Sequence, residues 1–202
     1  MDNALTNGVC DAFFPAALVV IALFYAIYFA KQLAQKKRGI QTRQLGKRKE
    51  KQIRTVETLL SFTTLVIVPV QLLSVFFGWN ASPNALRLAG CVIGLSGDLV
   101  FLVAVITMKD SWRAGIPDED KTELISNGIY RYSRNPAFLG FDLMYLGILL
   151  MYLNLALLAM TLLTAVALHL QILQEEKYLC ATFGDAYLAY KARTARYLGR
   201  RG

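Results

Sequence analysis

The chain carries two clusters of residues whose side chains could bind or transform a polar ligand. One cluster, at residues 124–140, contains Arg134, whose guanidinium can pair with an anion through two parallel hydrogen bonds. The other, at residues 175–196, begins with Glu175 and Glu176, which can accept hydrogen bonds or a proton. Taken singly, these residues have ordinary structural roles, as an arginine at a membrane interface and a solvated helix end. Their chemistry therefore depends on whether the fold brings the two clusters together.

Several common classes of site are absent from the sequence. Neither a G-x-G-x-x-G fingerprint nor a P-loop occurs, which excludes the usual soluble nucleotide sites. The single histidine, His169, falls in a predicted membrane span, where a hydrogen-bonded interior residue is more common than a catalyst. Cys10, Cys91 and Cys180 lie in three separate segments, so we expect no disulfide framework and no metal site. A cofactor must then bind where the two polar clusters converge.

Long apolar segments must position these clusters. Hydrophobic residues make up 55% of the 202 residues. The long apolar runs lie at residues 13–30, 59–77, 86–108 and 137–173. A membrane-spanning helix needs roughly 20 apolar residues, so the first three runs provide one span each, and the last provides two if the chain turns near Asn154. The sequence therefore predicts an all-α integral membrane protein of about five transmembrane helices.

The charged residues predict the orientation of these spans. The formal net charge is +8, and the basic residues concentrate at 31–54, in the connection 109–136 and in the tail from Lys177. The loops expected on the other side, 78–85 and 153–154, carry no charge. Basic residues accumulate on the cytoplasmic side of membrane proteins, so we expect the N-terminus outside and a cytoplasmic C-terminal helical segment. This distribution argues against nucleic-acid binding; contact of the first loop with anionic lipid headgroups is a second, less favoured interpretation.

The chain divides into two predicted parts. Residues 1–108 form an N-terminal three-span scaffold with a basic cytoplasmic loop at 31–54. Residues 109–202 hold a cytoplasmic connector, a two-span helical hairpin and a C-terminal helix. Pro136 is expected to open the fourth span, because its missing N–H costs nothing in the first helical turn. The pair Phe183-Gly184 predicts a break in the helix before the last segment.

Three smaller features leave alternatives open. Gly90 and Gly94 are spaced for close helix packing, which we expect within the chain rather than between two copies. Asp98, near the middle of the third span, is an ionisable group that faces a polar cavity or a partner side chain. The tyrosine face of the last segment, with Tyr187 and Tyr190, is typical of a helix at the membrane interface and equally of one that covers a cofactor.

The spacing within the two clusters resembles that of a known group of membrane enzymes. Residues 128–140 read G-x-Y-x-x-x-R-N-P-x-F-x-G. The later motifs are E-E-x-x-L at 175–179, F-G-x-x-Y-x-x-Y at 183–190 and T-x-R at 194–196. Their order and spacing are similar to those of the isoprenylcysteine carboxyl methyltransferase and phospholipid methyltransferase superfamily. The resemblance covers about residues 109–198.

This resemblance implies a cofactor, a reaction and a set of site residues. The cofactor is S-adenosylmethionine, bound at the cytoplasmic ends of the last two spans, and the predicted catalytic residues are Arg134 and Glu175. The predicted cofactor-binding residues are Gly128, Ile129, Tyr130, Asn135, Pro136, Phe138, Gly140, Glu176, Tyr187 and Arg196. The implied reaction is methyl transfer to a lipophilic or membrane-borne carboxylate, amine or thiol. Expected partners are the lipid bilayer and a lipophilic or lipidated substrate, without nucleic acid or an obligate protein partner.

Three positions depart from the pattern of this superfamily. Asn135 replaces the histidine of the eukaryotic isoprenylcysteine enzymes, and Phe138 replaces a tyrosine. No proline follows the T-x-R motif. Asparagine is common in bacterial-type relatives, so we expect the inner membrane of a prokaryote. These departures affect the identity of the substrate more than the use of the cofactor.

Two other functions fit parts of the sequence. Membrane reductases that use NADPH carry a similar arginine–proline block, but there a glutamate follows the glycine, whereas Phe141 follows Gly140 here. A non-catalytic small membrane transporter or assembly protein would explain the spans and the basic loop. It would not explain the two clusters of motifs, so we expect the methyltransferase.

Overall fold

Five α-helices make up most of the computed structural model, which describes residues 11–45, 50–116 and 123–199. The helices are α1 Phe14–Lys37, α2 Lys51–Phe76, α3 Asn84–Met108, α4 Pro136–Met151 and α5 Leu155–Arg193, with short 3-10 turns at Lys109–Ser111 and Gly128–Arg131. Within these residues no strand forms. The predicted all-α fold class is confirmed. The first ten residues with Cys10, loop residues 46–49, connector residues 117–122 and the last three residues lie outside the described part.

Four of the helices are long and apolar enough to cross a membrane: α1, α2, α3 and α5. The fifth, α4, is apolar but has only 16 residues. At about 1.5 Å per residue it is about 24 Å long, less than the roughly 30 Å of a hydrocarbon core. The prediction of about five helices is confirmed, and the fourth is shorter than a typical span.

Close packing of α3 on α4 depends on glycines from both helices. A Cβ atom on Gly147 would lie 2.5 Å from Cα of Gly94, and one on Gly90 would lie 2.6 Å from O of Gly147. No side chain fits at such distances, so the two backbones approach closely as small residues in membrane helices permit. The predicted packing of Gly90 and Gly94 within the chain is confirmed.

The register of this helix pair leaves space at one end of the bundle. Gly140 of α4 meets Phe101 of α3, with 2.8 Å between their Cβ positions if Gly140 carried one. Pro136 lies one turn earlier, so α4 begins about one turn short of the end of α3 at Met108. The chain that connects the two helices folds over this shortened end.

The opposite end of the bundle is closed by a tight turn between α4 and α5. Asn154 caps α5, with its side-chain oxygen accepting a hydrogen bond from the backbone N–H of Leu157 at 2.9 Å. Its amide nitrogen donates to the hydroxyl of Ser74 on α2, also at 2.9 Å. The predicted turn near Asn154 is confirmed, and it places the start of α5 against the end of α2.

The end of α5 contains the predicted break. Gly184 adopts φ 52° and ψ −127°, which interrupts the helix, and a last helical segment continues to Arg193. A glycine tolerates this positive φ without steric cost, so the chain kinks at the predicted position. The segment after α5 then returns to the start of α4, where the backbone N–H of Arg134 donates to O of Ala195 at 3.0 Å.

The basic loop after α1 pairs with the connector after α3. The backbone N–H of Gln44 donates to O of Ala114 at 2.8 Å, and the N–H of Ala114 donates to O of Thr42 at 3.0 Å. The buried side chain of Gln35 donates to O of Trp112 at 3.0 Å. The two predicted parts of the chain therefore contact each other directly across the shortened end of α4. We call this end, with the loop and the connector, the basic end of the bundle.

Candidate active site

A cavity opens at the basic end, above the first turn of α4. Its volume is about 110 Å³, and it is open to the surroundings. Its lining residues are Met108, Ser111, Trp112, Arg113, Gly115, Ile116, Glu123, Leu124, Ile125, Tyr130, Arg134, Asn135, Ala137, Phe138, Glu175, Tyr178, Leu179 and Tyr190. The walls thus come from α3, the connector, α4 and α5, and they combine apolar, aromatic and charged side chains.

Glu175 is the carboxylate that α5 contributes to this cavity. Its Oε1 accepts a hydrogen bond from Nε2 of Gln171, one helical turn earlier, at 3.1 Å. Across the described ranges no arginine or lysine forms an ion pair with Glu175. A carboxylate in this position has acceptor capacity left for a ligand.

The neighbouring carboxylate, Glu176, has a different environment. Its Oε1 accepts from Nη2 of Arg134 at 2.7 Å and from Nε of Arg196 at 3.0 Å, and its Oε2 accepts from Nη2 of Arg196 at 3.0 Å. Glu176 is buried. The hydrogen bonds to Glu176 raise the pKa of Arg196 above its usual value. We call Arg134, Glu176 and Arg196 the arginine cluster.

The arginine cluster holds the C-terminal segment on the start of α4. Arg134 donates through Nη1 to O of Thr194 at 2.7 Å and to O of Lys191 at 3.2 Å. Asn135 donates through Nδ2 to O of Arg196 at 3.2 Å. These bonds connect the turn before α4 with the end of α5, so one wall of the cavity depends on them.

Three tyrosines fix the 3-10 turn that precedes α4. Tyr190 donates its hydroxyl to O of Tyr130 at 2.7 Å, and the rings of Tyr187 and Tyr190 lie 6.1 Å apart. All three are buried. Burial raises the pKa of Tyr130 well above its ordinary value of 10.0, so its hydroxyl stays protonated. The predicted tyrosine face therefore packs on protein, beside the cavity.

A comparison with protein families shows which family the chain belongs to. The sequence profile of the phospholipid methyltransferases matches residues 86–186, half of the chain. The chain belongs to the phospholipid methyltransferase family. The predicted resemblance to this superfamily is confirmed, and a comparison with curated proteins finds no match.

The phospholipid methyltransferase match coincides with the elements around the cavity. It includes α3, the connector, α4 and α5 as far as residue 186. Family membership implies a membrane methyltransferase, so the reductase and the transporter or assembly protein are not favoured. The match ends before Tyr187 and the T-x-R motif at 194–196, which form the C-terminal contacts.

The structure brings some of the predicted site residues of this methyltransferase to the cavity. The predicted residues that line it are Tyr130, Arg134, Asn135, Phe138 and Glu175. Glu176, Tyr187 and Arg196 lie behind its wall, in the arginine cluster and the tyrosine contacts. Ile129 and Pro136 adjoin lining residues without lining the cavity themselves.

The two predicted glycines of the cofactor site, Gly128 and Gly140, pack against α3. Gly140 lies against Phe101 and Gly97, at the contact of α4 with α3. Gly128 has φ 56°, and its Cα faces Thr107. Neither lines the cavity, and their contact with the cofactor stays a prediction.

Sequence reasoning missed the contribution of the N-terminal part. Glu57 of α2 is fully buried, and its Oε1 accepts a hydrogen bond from the backbone N–H of Ile116, a residue of the cavity wall. A signal for it exists in the sequence, because Glu57, Leu60, Ile67 and Gln71 recur at helical spacing on one face of α2. A charged residue on an otherwise core-facing helical stripe requires a polar partner.

Proposed function

We propose that the protein transfers a methyl group from S-adenosylmethionine to a lipophilic or membrane-borne acceptor at the cytoplasmic face of the membrane. The observation that carries this proposal is the cavity itself. It joins an available carboxylate, Glu175, to Arg134 and an apolar wall at the start of a helix that is shorter than a typical membrane span. Membership in the phospholipid methyltransferase family supports the reaction class.

The residues around the cavity fit the chemical groups of this cofactor. Nε of Arg134 is buried and finds no hydrogen-bond partner among the described residues, so it is available to an anionic group such as the cofactor's carboxylate. The first turn of α4 at Ala137 and Phe138 favours the same group, because helix N-termini carry unpaired N–H groups and partial positive charge. Trp112 and Tyr130 offer rings for a nucleobase, and Glu175 offers an acceptor for hydroxyls or a countercharge for a cation.

The reaction requires the protein mainly to align the two reactants and to exclude water from the cavity. S-adenosylmethionine, when bound, supplies an electrophilic methyl group. Arg134 and Asn135 orient the ligand at the polar end of the cavity, and Phe138 and Leu179 exclude water from it. Alignment of the donor with the acceptor is the main contribution expected from such a site.

The acceptor is a carboxylate, an amine or a thiol. A carboxylate acceptor needs no base, whereas a protonated amine must lose a proton to a nearby group. Glu175 is the group for this task, since Glu176 is held by two guanidinium groups and Asp98 does not line the cavity. The apolar wall and the recessed start of α4 suit an acceptor whose hydrophobic part stays in the membrane.

The orientation rests on the distribution of charge. The basic end of the bundle carries the loop after α1, the connector and the tail, and basic residues favour the cytoplasmic side. We propose an outside N-terminus and a cytoplasmic C-terminus, in the inner membrane of a prokaryote. The cofactor then reaches the cavity from the cytoplasm, and the bilayer itself is the main partner.

Equilibrium binding to the detergent-purified protein tests this function. S-adenosylmethionine and NADPH are titrated separately by isothermal calorimetry. Saturable binding of S-adenosylmethionine at micromolar affinity, without binding of NADPH, is the expected result. Binding of NADPH alone would assign the protein to the reductases, and binding of neither ligand would remove the proposed cofactor.

A further inference from the structure

The exposed face of α2 carries a groove that is separate from the cavity and lies at the basic end of the bundle. Six residues of α2 line this groove: Lys51, Arg54, Thr55, Thr58, Leu59 and Phe62. They recur every three or four residues, so they share one face of the helix. None of them lines the cavity that contains Glu175.

The chemical character of the groove changes along the helix. Lys51 and Arg54, in the first turn, are exposed cations, whereas Leu59 and Phe62 are apolar. Phe62 lies eleven residues after Lys51, about 16 Å along the helix axis. The 26 residues of α2 span about 39 Å, more than the roughly 30 Å of a hydrocarbon core, so the ends of the helix reach the headgroup layers. The groove therefore leads from the headgroup layer into the hydrocarbon.

The two cations of the groove have no acidic partner within the described part of the chain. At the same end of the bundle, Arg38 forms an ion pair with Asp110 at 2.8 Å. Across residues 11–45, 50–116 and 123–199, neither Lys51 nor Arg54 forms such a pair. The six lining residues include no acid, so the head of the groove is complementary to an anion.

The hydroxyl groups between the cations and the apolar residues bond to the helix itself. Thr55 donates to O of Lys51 at 2.9 Å, and Thr58 donates to O of Arg54 at 2.7 Å. The donors left for a ligand are the ammonium and the guanidinium, and a guanidinium can bind a phosphate through two parallel hydrogen bonds. A ligand complementary to the whole groove has an anionic head and an apolar tail.

We propose that this groove binds an anionic phospholipid. The phosphate of the headgroup lies at Lys51 and Arg54. An acyl chain lies along Leu59 and Phe62. A headgroup with net negative charge is attracted by both cations, whereas a zwitterionic headgroup brings a positive charge of its own to the same place. Lipid binding here does not require methyl transfer, so this inference goes beyond the proposed function and stands or falls separately from it.

A fluorescent reporter at the apolar end of the groove measures its occupancy. Phe62→Trp places an indole there, and the full-length protein is reconstituted into bilayers of phosphatidylcholine and phosphatidylglycerol in which one of the two lipids has brominated acyl chains. Bromine quenches an indole at short range, so the quenching gives the relative binding constant of the two lipids at this site. The protein without the substitution gives the background from Trp79 and Trp112. We expect a preference of about tenfold for phosphatidylglycerol, from two cations that are partly screened.

Matched variants separate the groove from the general charge of the basic end. In the Phe62→Trp protein, Lys51→Gln with Arg54→Gln should lower the preference below about twofold. The control is Lys36→Gln with Lys37→Gln, which removes two charges from the exposed last turn of α1 and should leave the preference within about twofold of its original value. Quenching by brominated phosphatidylcholine alone, unchanged among the variants, shows that they remain inserted.

Two results would overturn the inference. The first is the absence of a preference for phosphatidylglycerol in the Phe62→Trp protein. The second is an equal loss of preference in the two neutralised pairs, which would assign the attraction to the whole basic end instead of the groove. Neither result bears on the binding of S-adenosylmethionine, which is measured separately.

Discussion

Two adjacent carboxylates of α5 lie in contrasting surroundings. Glu176 accepts three hydrogen bonds from two guanidinium groups in the arginine cluster, whereas Glu175 accepts one from Gln171 and lines the cavity. The first carboxylate is fully satisfied by the protein. The second retains acceptor capacity at the edge of the open cavity.

The difference in surroundings sets the role that we expect of each carboxylate. In a buried ion pair whose hydrogen bonds are all made, removal of one partner leaves an uncompensated buried charge. Such a removal strongly destabilises the fold. A carboxylate with unused acceptor positions contributes little to the fold and is available to a ligand. We therefore propose a structural role for Glu176 and a ligand-binding role for Glu175, although the two are neighbours in sequence.

The largest expected effect comes from breaking the arginine cluster. Glu176→Ala leaves Arg134 and Arg196 without their carboxylate, and we expect the free energy of unfolding to fall by about 3–5 kcal/mol. Thermal unfolding in detergent measures this loss. Glu176→Ala with unchanged thermal stability would contradict the structural role of the cluster.

The next effect concerns ligand binding without loss of the fold. Glu175→Gln keeps the shape of the side chain and removes its charge, so we expect affinity for S-adenosylmethionine to fall by roughly 10–100-fold, as for loss of a charge-assisted contact. Calorimetry measures the affinity, and the thermal unfolding midpoint should match that of the unaltered protein. A variant that binds as tightly as the original would remove Glu175 from the site.

A smaller effect should follow from weakening the cluster while keeping its charge. Arg196→Lys replaces a planar fork with a single ammonium group, so the two-point contact with Glu176 is lost. We expect a loss of about 1 kcal/mol in stability. Thermal unfolding is measured for Arg196→Lys and for Glu176→Ala, and the two losses of stability are compared. Equal losses would show that geometry rather than charge dominates the cluster.

The smallest effect is predicted for an exposed ion pair at the same end of the bundle. Arg38 donates two hydrogen bonds to Asp110, at 2.8 and 2.9 Å, but both side chains are at least half exposed. Exposed pairs contribute about 0–1 kcal/mol, so Asp110→Asn should leave stability nearly unchanged. A loss as large as that of Glu176→Ala would mean that burial does not explain the difference between the clusters.

The elements of the fold could be predicted from the sequence because their signals are local. Runs of apolar residues define the helices, Pro136 marks the start of α4, and Asn154 marks the turn before α5. The recessed start of α4 was not predicted. It depends on the register of α4 against the glycines of α3, which involves residues distant in sequence.

The candidate site could be predicted only in part, for a similar reason. Motif spacing places Arg134 and Glu175 at one cavity, but it does not distinguish Glu175 from Glu176. That distinction depends on the direction in which each side chain projects from α5. It also depends on the C-terminal segment, which packs on the start of α4 and brings Arg196 to Glu176. Glu57 was missed because its role depends on contact between α2, the connector and α5.

The location of the cofactor is the central claim, and direct cross-linking tests it. Ultraviolet irradiation of the purified protein with radiolabelled S-adenosylmethionine, followed by peptide mapping, identifies the residues beside the ligand. The account predicts saturable labelling of peptides that contain the cavity-lining residues 112–116, 124–138 or 175–190, and strong reduction of that labelling in Glu175→Gln. Saturable labelling confined to α1, or to the far end of α2, would contradict the assignment of the cavity.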